Sequence, residues 1–133
     1  MEAKTVSFTV PADARGASLA RRLVLTARAG LSHSVRRRLA LVLSELVTDA
    51  VTHGGARPHE TMEVRLASRS ECVRVEVLDP GTATVMRRKQ TVASGGHGML
   101  LVDHLSDGHG RERAPGGGSL AWFELGLDAT DHE

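Results

Sequence analysis

The stretch Ser34-Val-Arg-Arg-Arg-Leu-Ala-Leu-Val-Leu-Ser-Glu-Leu-Val-Thr-Asp-Ala-Val-Thr-His53 decides the fold, because it carries a long and regular helical pattern. Ser32 or Ser34 is suited to cap this helix, which we predict to run to about Thr52, just before Gly54 and Gly55. Its apolar residues form one stripe that must pack against other elements: Val35, Leu39, Val42, Leu46 and Ala50.

Shorter patterns on both sides of this helix predict the remaining elements. Alternating apolar residues predict strands at 4–10, 62–66, 73–77 and 121–127, and a further strand is predicted at 109–113, before the glycine-rich turn at 115–118. Helical spacing predicts a further helix at 17–29, and a short helix is predicted at 99–105 between the glycines at 95–98 and the turn at 106–108. This order of elements predicts an α+β fold, a two-layer α/β sandwich in which the helices cover one face of a mixed or antiparallel sheet.

Length and composition limit the class of protein. The chain has 133 residues, with 17 Lys and Arg against 16 Asp and Glu, so its formal charge is +1. We expect a single domain at 1–127 and a polar, frayed tail at 128–133. Two Phe, one Trp and no Tyr leave few side chains for stacking on bases, which argues against direct nucleic-acid binding. One cysteine, no signal-peptide pattern and no long apolar run predict a cytoplasmic protein without a membrane segment.

Three polar residues on the long helix form a candidate binding cluster. Glu45, Asp49 and His53 follow one another at intervals of four residues, which brings them together along one flank. Two such carboxylates repel each other by about 0.2–0.5 kcal/mol on an exposed helix, and a cation removes that repulsion. Taken alone, the cluster is more typical of a solvated helix face with a histidine near its carboxyl end. Zinc is a third option, although the other histidines lack ligand spacing.

Two glycine-containing turns offer further binding chemistry. Gly95-Gly96-His97-Gly98 precedes the predicted short helix, where free N–H groups and the helix dipole favour an anion. The basic residues at 87–89 lie in a loop that could close over phosphates. Asp79-Pro80-Gly81 follows a strand, and its carboxylate could accept a hydrogen bond from an exocyclic amine. Taken singly, each of these is more typical of an ordinary turn or an exposed loop.

Together and in order, these motifs resemble the Bergerat-fold (GHKL) ATPases, the group that includes DNA gyrase and the histidine kinases. The resemblance is strongest to small actinobacterial anti-sigma-factor serine/threonine kinases, and it covers about residues 17–127. The motifs that carry it are Glu45-Leu-Val-Thr-Asp49-Ala-Val-Thr-His53-Gly, Val-Glu-Val-Leu-Asp79-Pro-Gly81, Gly96-His-Gly98-Met-Leu-Leu-Val and Leu120-Ala-Trp122-Phe-Glu-Leu.

The resemblance implies a role for each matching residue in a site for ATP and Mg²⁺. Glu45 matches the catalytic glutamate that orients or deprotonates the attacking hydroxyl, and Asp49 matches the residue that holds Mg²⁺. Asp79 matches the aspartate that reads the adenine amino group. The remaining implied cofactor-binding residues come from the same motifs: His53, Gly81, Gly96, His97, Gly98 and Met99.

Three positions depart from the family pattern. Asp49 stands where relatives normally have Asn, and Ala83 stands where a further glycine is often found. Leu120 occupies the position, two residues before Trp122, where relatives usually have a Thr that helps to hold the adenine aspartate. Each change weakens the match to tight ATP binding and leaves the predicted fold unaffected.

The resemblance implies two alternative functions. The first is an ATP-binding anti-sigma factor that phosphorylates a STAS-type anti-anti-sigma antagonist and binds a sigma factor, and so regulates transcription. The second is a catalytically weak or inactive partner-switching module that sequesters a regulator without phosphoryl transfer. Because relatives commonly dimerise, we expect a homodimer in either case.

Overall fold

Segments with alternating apolar residues form four of the five described strands of a sheet, and two helices connect the first strand to the second. The computed structural model describes residues 4–27, 29–53, 57, 59–81, 102 and 104–133, without the side chain of His53. In chain order the elements are β1 (Lys4–Pro11), α1 (Arg15–Thr26), α2 (His33–His53), β2 (Thr61–Ser68), β3 (Cys72–Asp79), β4 (Gly108–Arg113) and β5 (Ser119–Gly126). The predicted strands and the two longer helices are confirmed. The predicted short helix ends at Leu105, and its start lies outside the described residues.

The described strands form one sheet in the order β1-β2-β3-β5-β4, and every neighbouring pair is antiparallel. Along β3, every second residue is buried, as expected for a strand with one covered face. These residues join the apolar side chains of α1 and α2 in one hydrophobic core. The predicted α+β fold is therefore confirmed, and the sheet is antiparallel rather than mixed in the described part of the chain.

Helix α2 is buried more extensively than its single predicted stripe suggests. The stripe is buried as predicted, and Ala40, Leu43 and Val47 are buried as well. The helix packs against α1 on one side and faces the sheet on the other. Because each fully buried Leu or Val contributes about 1.5–3 kcal/mol, α2 is held firmly in place. The polar residues that it carries are therefore fixed relative to the sheet.

The sequence predicted the start of α2 more accurately than the end of α1. Helix α1 ends at Thr26 because Ala27 is already extended, so the predicted end at 29 is three residues too late. Helix α2 begins at His33, and the Ser32 hydroxyl accepts a hydrogen bond from the Val35 amide at 3.2 Å. Of the two predicted caps, Ser32 is therefore the one that the structure uses.

The polar tail at residues 128–133 is ordered, so the prediction that it frays is wrong. Asp128 caps a single 3-10 turn at Ala129–Asp131. The Ser32 amide donates to the Asp131 carbonyl at 2.7 Å, and His132 forms a β-bridge with Leu31. Backbone hydrogen bonds therefore fasten the tail to the segment that precedes α2.

Within residues 4–27, 29–53 and the other described segments, no helix is long and apolar enough to cross a membrane.

The cap predicts a stability difference between two neighbouring serines. Replacing Ser32 by Ala leaves the Val35 amide without its acceptor, so we expect the free energy of unfolding to fall by about 1 kcal/mol. Replacing it by Asp keeps an acceptor and should preserve stability. The matched control is Ser34→Ala at an exposed position, which should change stability by less than about 0.5 kcal/mol in urea denaturation. Equal losses at both serines would contradict this assignment of the cap.

Candidate functional site

Two carboxylates of α2 lie at the boundary between the core and solvent. Glu45 is half-buried, whereas Asp49 is only 7% exposed. The predicted spacing thus brings both onto one flank of α2, with Asp49 turned further inward. His53 is the last residue of α2, and its side chain lies outside the described residues.

Asp79 supplies a third buried carboxylate at the end of β3. It lies on the same side of the strand as Val75 and Val77, which face the core, and it is 3% exposed. Its Oδ1 accepts a hydrogen bond from the Gly81 amide at 2.8 Å. A buried carboxylate needs such partners, because burial without them is costly. The residue predicted to read adenine is therefore buried and held by the turn that follows it.

Ser119 faces Asp79 across the sheet, and the sequence analysis missed it. In the pairing of β3 with β5, Asp79 lies opposite Ser119, and Leu120 lies opposite Leu78. The Ser119 hydroxyl is buried and has no hydrogen-bond partner in the described part of the chain. The expectation that Leu120 occupies the position beside the adenine aspartate is therefore wrong, because the strand register assigns that position to Ser119. A search for a hydroxyl one residue before Leu120 would have found it.

Two glycines allow the chain to turn tightly beside Asp79. Gly81 has a φ of +66° and Gly118 a φ of +78°. A Cβ built on Gly81 would lie 2.2 Å from the Gly118 Cα, and one built on Gly118 would lie 2.2 Å from the Asp79 carbonyl oxygen. The predicted role of Gly81 in shaping the site thus has a steric basis in this backbone contact.

Arg111 of β4 brings a cation to Asp49, which the sequence analysis did not predict. Its guanidinium forms an ion pair with Oδ2 of Asp49, and the Arg111 side chain is 19% exposed. Apart from this ion pair, Oδ2 accepts no hydrogen bond from the described residues. Burial lowers the pKa of Arg111, but an arginine remains cationic at neutral pH. A buried aspartate requires a counterion. The position of Asp49 among the apolar residues of α2 was therefore the sequence signal that a cationic side chain lies nearby.

The Asp49–Arg111 ion pair determines how well this site suits Mg²⁺. Mg²⁺ prefers oxygen ligands in an octahedral arrangement, usually with one or two carboxylates. Here the Asp49 carboxylate already has a cationic partner. Among the residues that the structure describes, no group of three or more His, Cys, Asp or Glu is arranged to hold a metal. Because its carboxylate is engaged by the guanidinium, Asp49 does not fit the role of a Mg²⁺ ligand in this arrangement.

Several predicted site residues cannot be compared with the structure. Gly96, His97, Gly98 and Met99 lie outside the described residues, as does the basic loop at 87–89. Their predicted contacts with nucleotide stay predictions.

The described site residues lie near one end of the sheet, on its helix-covered face. Arg111 is paired with Ala121, two residues along β5 from Ser119. From ordinary strand spacings, the backbones of Arg111 and Asp79 are about 12 Å apart. The buried Asp79 and Ser119 thus occupy one position near this end of the sheet, and the Asp49–Arg111 pair occupies another.

A sequence profile described as the histidine kinase-like ATPase domain matches residues 10–121. The chain belongs to the histidine kinase-like ATPase family. The matched region of this histidine kinase-like ATPase domain includes α2, Asp79, Arg111 and Ser119. A search of curated proteins found no match.

The glycine contact predicts a large steric effect in this ATPase domain. Gly118→Ala places a Cβ against backbone atoms that cannot rotate away, so we expect it to lower the free energy of unfolding by about 1–3 kcal/mol beyond the cost of positive φ. The matched control is Gly116→Ala, where φ is +82° but no atom lies within 4 Å of the new Cβ. Urea denaturation of both variants separates packing from backbone strain. Equal losses would contradict the close contact between Gly118 and the Asp79 turn.

Proposed function

We propose that this histidine kinase-like ATPase domain is a regulatory protein that binds adenine nucleotide beside Asp79. The observation that carries the proposal is the buried Asp79 carboxylate, set opposite the buried Ser119 hydroxyl. A carboxylate accepts hydrogen bonds, so it suits the amino group of adenine, and the hydroxyl can bridge the two or bind a nearby water. The phosphates then extend towards α2, and the family resemblance assigns further phosphate contacts to Gly96 and Gly98.

We propose further that the protein is an anti-sigma factor with serine/threonine kinase activity. In this reaction, a hydroxyl oxygen of a STAS-type antagonist attacks the γ-phosphorus of ATP. The new O–P bond forms as the bond to the β-phosphate oxygen breaks, and ADP leaves. Glu45 accepts the hydroxyl proton or orients the hydroxyl, a role that its half-buried position beside the site permits.

A second candidate function is partner binding without phosphoryl transfer. It is favoured by the ion pair between Asp49 and Arg111, because the residue expected to hold Mg²⁺ is engaged by an arginine. In this case the nucleotide acts as a structural ligand, and the protein works by sequestering its partner.

The positive charge on the outer surface of the helices favours an acidic protein as the partner. Residues 14–44 contain seven Arg and no Asp or Glu. Between α1 and α2 lies a groove of about 520 Å³, lined by Arg21, Arg37 and Arg38 together with Leu41. Leu41 is 48% exposed and offers apolar contact at the centre of this positive charge. We propose that the groove receives an acidic surface of the antagonist or the sigma factor, in a cytoplasmic homodimer.

The kinase proposal predicts that a substitution at Glu45 lowers phosphoryl transfer without weakening ATP binding. Glu45→Gln removes the proton acceptor and keeps the size of the side chain, so we expect phosphoryl transfer to fall by at least about 100-fold while ATP affinity stays within about threefold. The measurement is transfer of γ-phosphate from labelled ATP to the antagonist, with calorimetry of ATP binding. The control is Glu71→Gln in the exposed turn between β2 and β3, which should leave both quantities unchanged.

Two results would decide between the candidate functions. Wild-type protein that binds ATP and antagonist but transfers no phosphate would reject the kinase and support the second candidate. Full activity in the Glu45→Gln variant would reject the role given to Glu45.

The groove predicts an effect of charge on partner affinity. Arg37→Glu reverses one charge in the groove, so we expect affinity for an acidic partner to fall by about tenfold, more strongly at low salt. Arg69→Glu changes the net charge equally in the exposed β2–β3 turn and should have little effect. Binding is measured by calorimetry at two salt concentrations, with ATP affinity as a check on folding. Equal losses for both variants would mean that net charge, and not the groove, determines binding.

A further inference from the structure

The ion pair between Asp49 and Arg111 joins α2 to β4 and has a consequence for nucleotide binding. Asp49 is 7% exposed and the Arg111 side chain 19%, so both charges are largely removed from water. A buried carboxylate without a cation costs several kcal/mol. Arg111 is therefore the counterion of Asp49 in the described structure.

We propose that Arg111 takes the place of a divalent cation beside Asp49, so that the protein binds ATP without requiring Mg²⁺. This inference rests on the proposed binding of adenine nucleotide at Asp79. It concerns affinity alone and holds for either candidate function.

Charge explains why the nucleotide needs a cation at this position. A carboxylate close to a phosphate oxygen repels it, and this repulsion is stronger in a partly buried site than in bulk water. Asp49 alone would impose such repulsion on the phosphates that approach α2. Arg111 neutralises Asp49, and this neutralisation removes the need for a metal between the carboxylate and the phosphates.

The chemistry of arginine suits this replacement. A guanidinium has five N–H donors in a planar fork, so one edge can contact Asp49 while other donors remain for a phosphate oxygen. Burial lowers the pKa of Arg111 from a value so high that the side chain keeps its charge. The cation therefore persists across the pH range in which the protein would bind ATP.

The strand register holds Arg111 in position. Arg111 lies opposite Ala121 in the β4–β5 pair, and Ala121 is buried on the helix-covered face. Its neighbour Gly110 lies on the other face, where a Cβ would come within 3.0 Å of the Trp122 ring. Arg111 is thus directed towards α2 by a strand that is packed against Trp122. A metal at Asp49 would have to displace this side chain or lie beside a second cation.

The experiment measures ATP affinity by calorimetry in excess EDTA and in MgCl₂. For the wild-type protein, we expect the two dissociation constants to agree within about threefold, because the cation is part of the protein. For Arg111→Met, which leaves Asp49 without its counterion, we expect ATP to bind at least about tenfold more tightly with Mg²⁺ than with EDTA. Arg113→Met is the matched control, since it removes an exposed arginine two residues along the same strand, and it should keep the wild-type ratio.

Stability without nucleotide gives a second readout. Arg111→Met should lower the melting temperature, and adding Asp49→Asn should restore much of the loss because the buried charge is then gone. If Arg111→Met fails to fold, the double variant replaces it, and its comparison with Asp49→Asn alone tests whether Arg111 aids ATP binding in EDTA. Equal affinities of these two variants in EDTA would overturn the inference.

The remaining outcomes separate this inference from the proposed function. Wild-type protein that binds ATP only in MgCl₂ would overturn the inference and leave the proposed nucleotide site intact. Wild-type protein that binds ATP in neither buffer would overturn the proposed function, and the inference with it. Binding in both buffers, with metal dependence appearing only when Arg111 is removed, is the result that we expect.

Discussion

The packing of α2 between α1 and the sheet is the constraint on which the rest of the site depends. Because apolar side chains cover two sides of the helix, α2 cannot rotate to expose Asp49 without exposing part of the core. Asp49 is therefore held in surroundings that require a cation. Arg111 on β4 provides that cation, so the same packing that builds the core also fixes the charge at the site.

Much of the fold could be predicted from the sequence because its patterns are local. The spacing of apolar residues indicated α2 and the strands β1, β2, β3 and β5, and the residue types at 45, 49 and 79 indicated the candidate site. Ser119 and Arg111 could not be placed in this way. The position of Ser119 opposite Asp79 follows from strand register, and the contact of Arg111 with Asp49 joins residues distant in sequence. Only the completed sheet brings these groups together.

The order of the tail at residues 128–133 also depends on contacts between residues distant in sequence, so local patterns did not predict it. Its polar composition predicts fraying, yet the Asp128 cap and the hydrogen bond from Ser32 to Asp131 hold it against the start of α2. Composition describes how a segment interacts with water, whereas these backbone hydrogen bonds depend on what lies beside it. The basic groove between α1 and α2 is likewise formed by residues from two elements.

We propose that the buried carboxylate of Asp79 marks an adenine site in this histidine kinase-like ATPase domain. The most direct test of this proposal is calorimetry of the wild-type protein with ATP and with GTP. Guanine presents a carbonyl oxygen where adenine presents an amino group, so it would oppose an acceptor to the carboxylate. The account predicts that ATP binds at least about tenfold more tightly than GTP, a difference of about 1.4 kcal/mol. Equal affinities, or no binding of ATP, would contradict it.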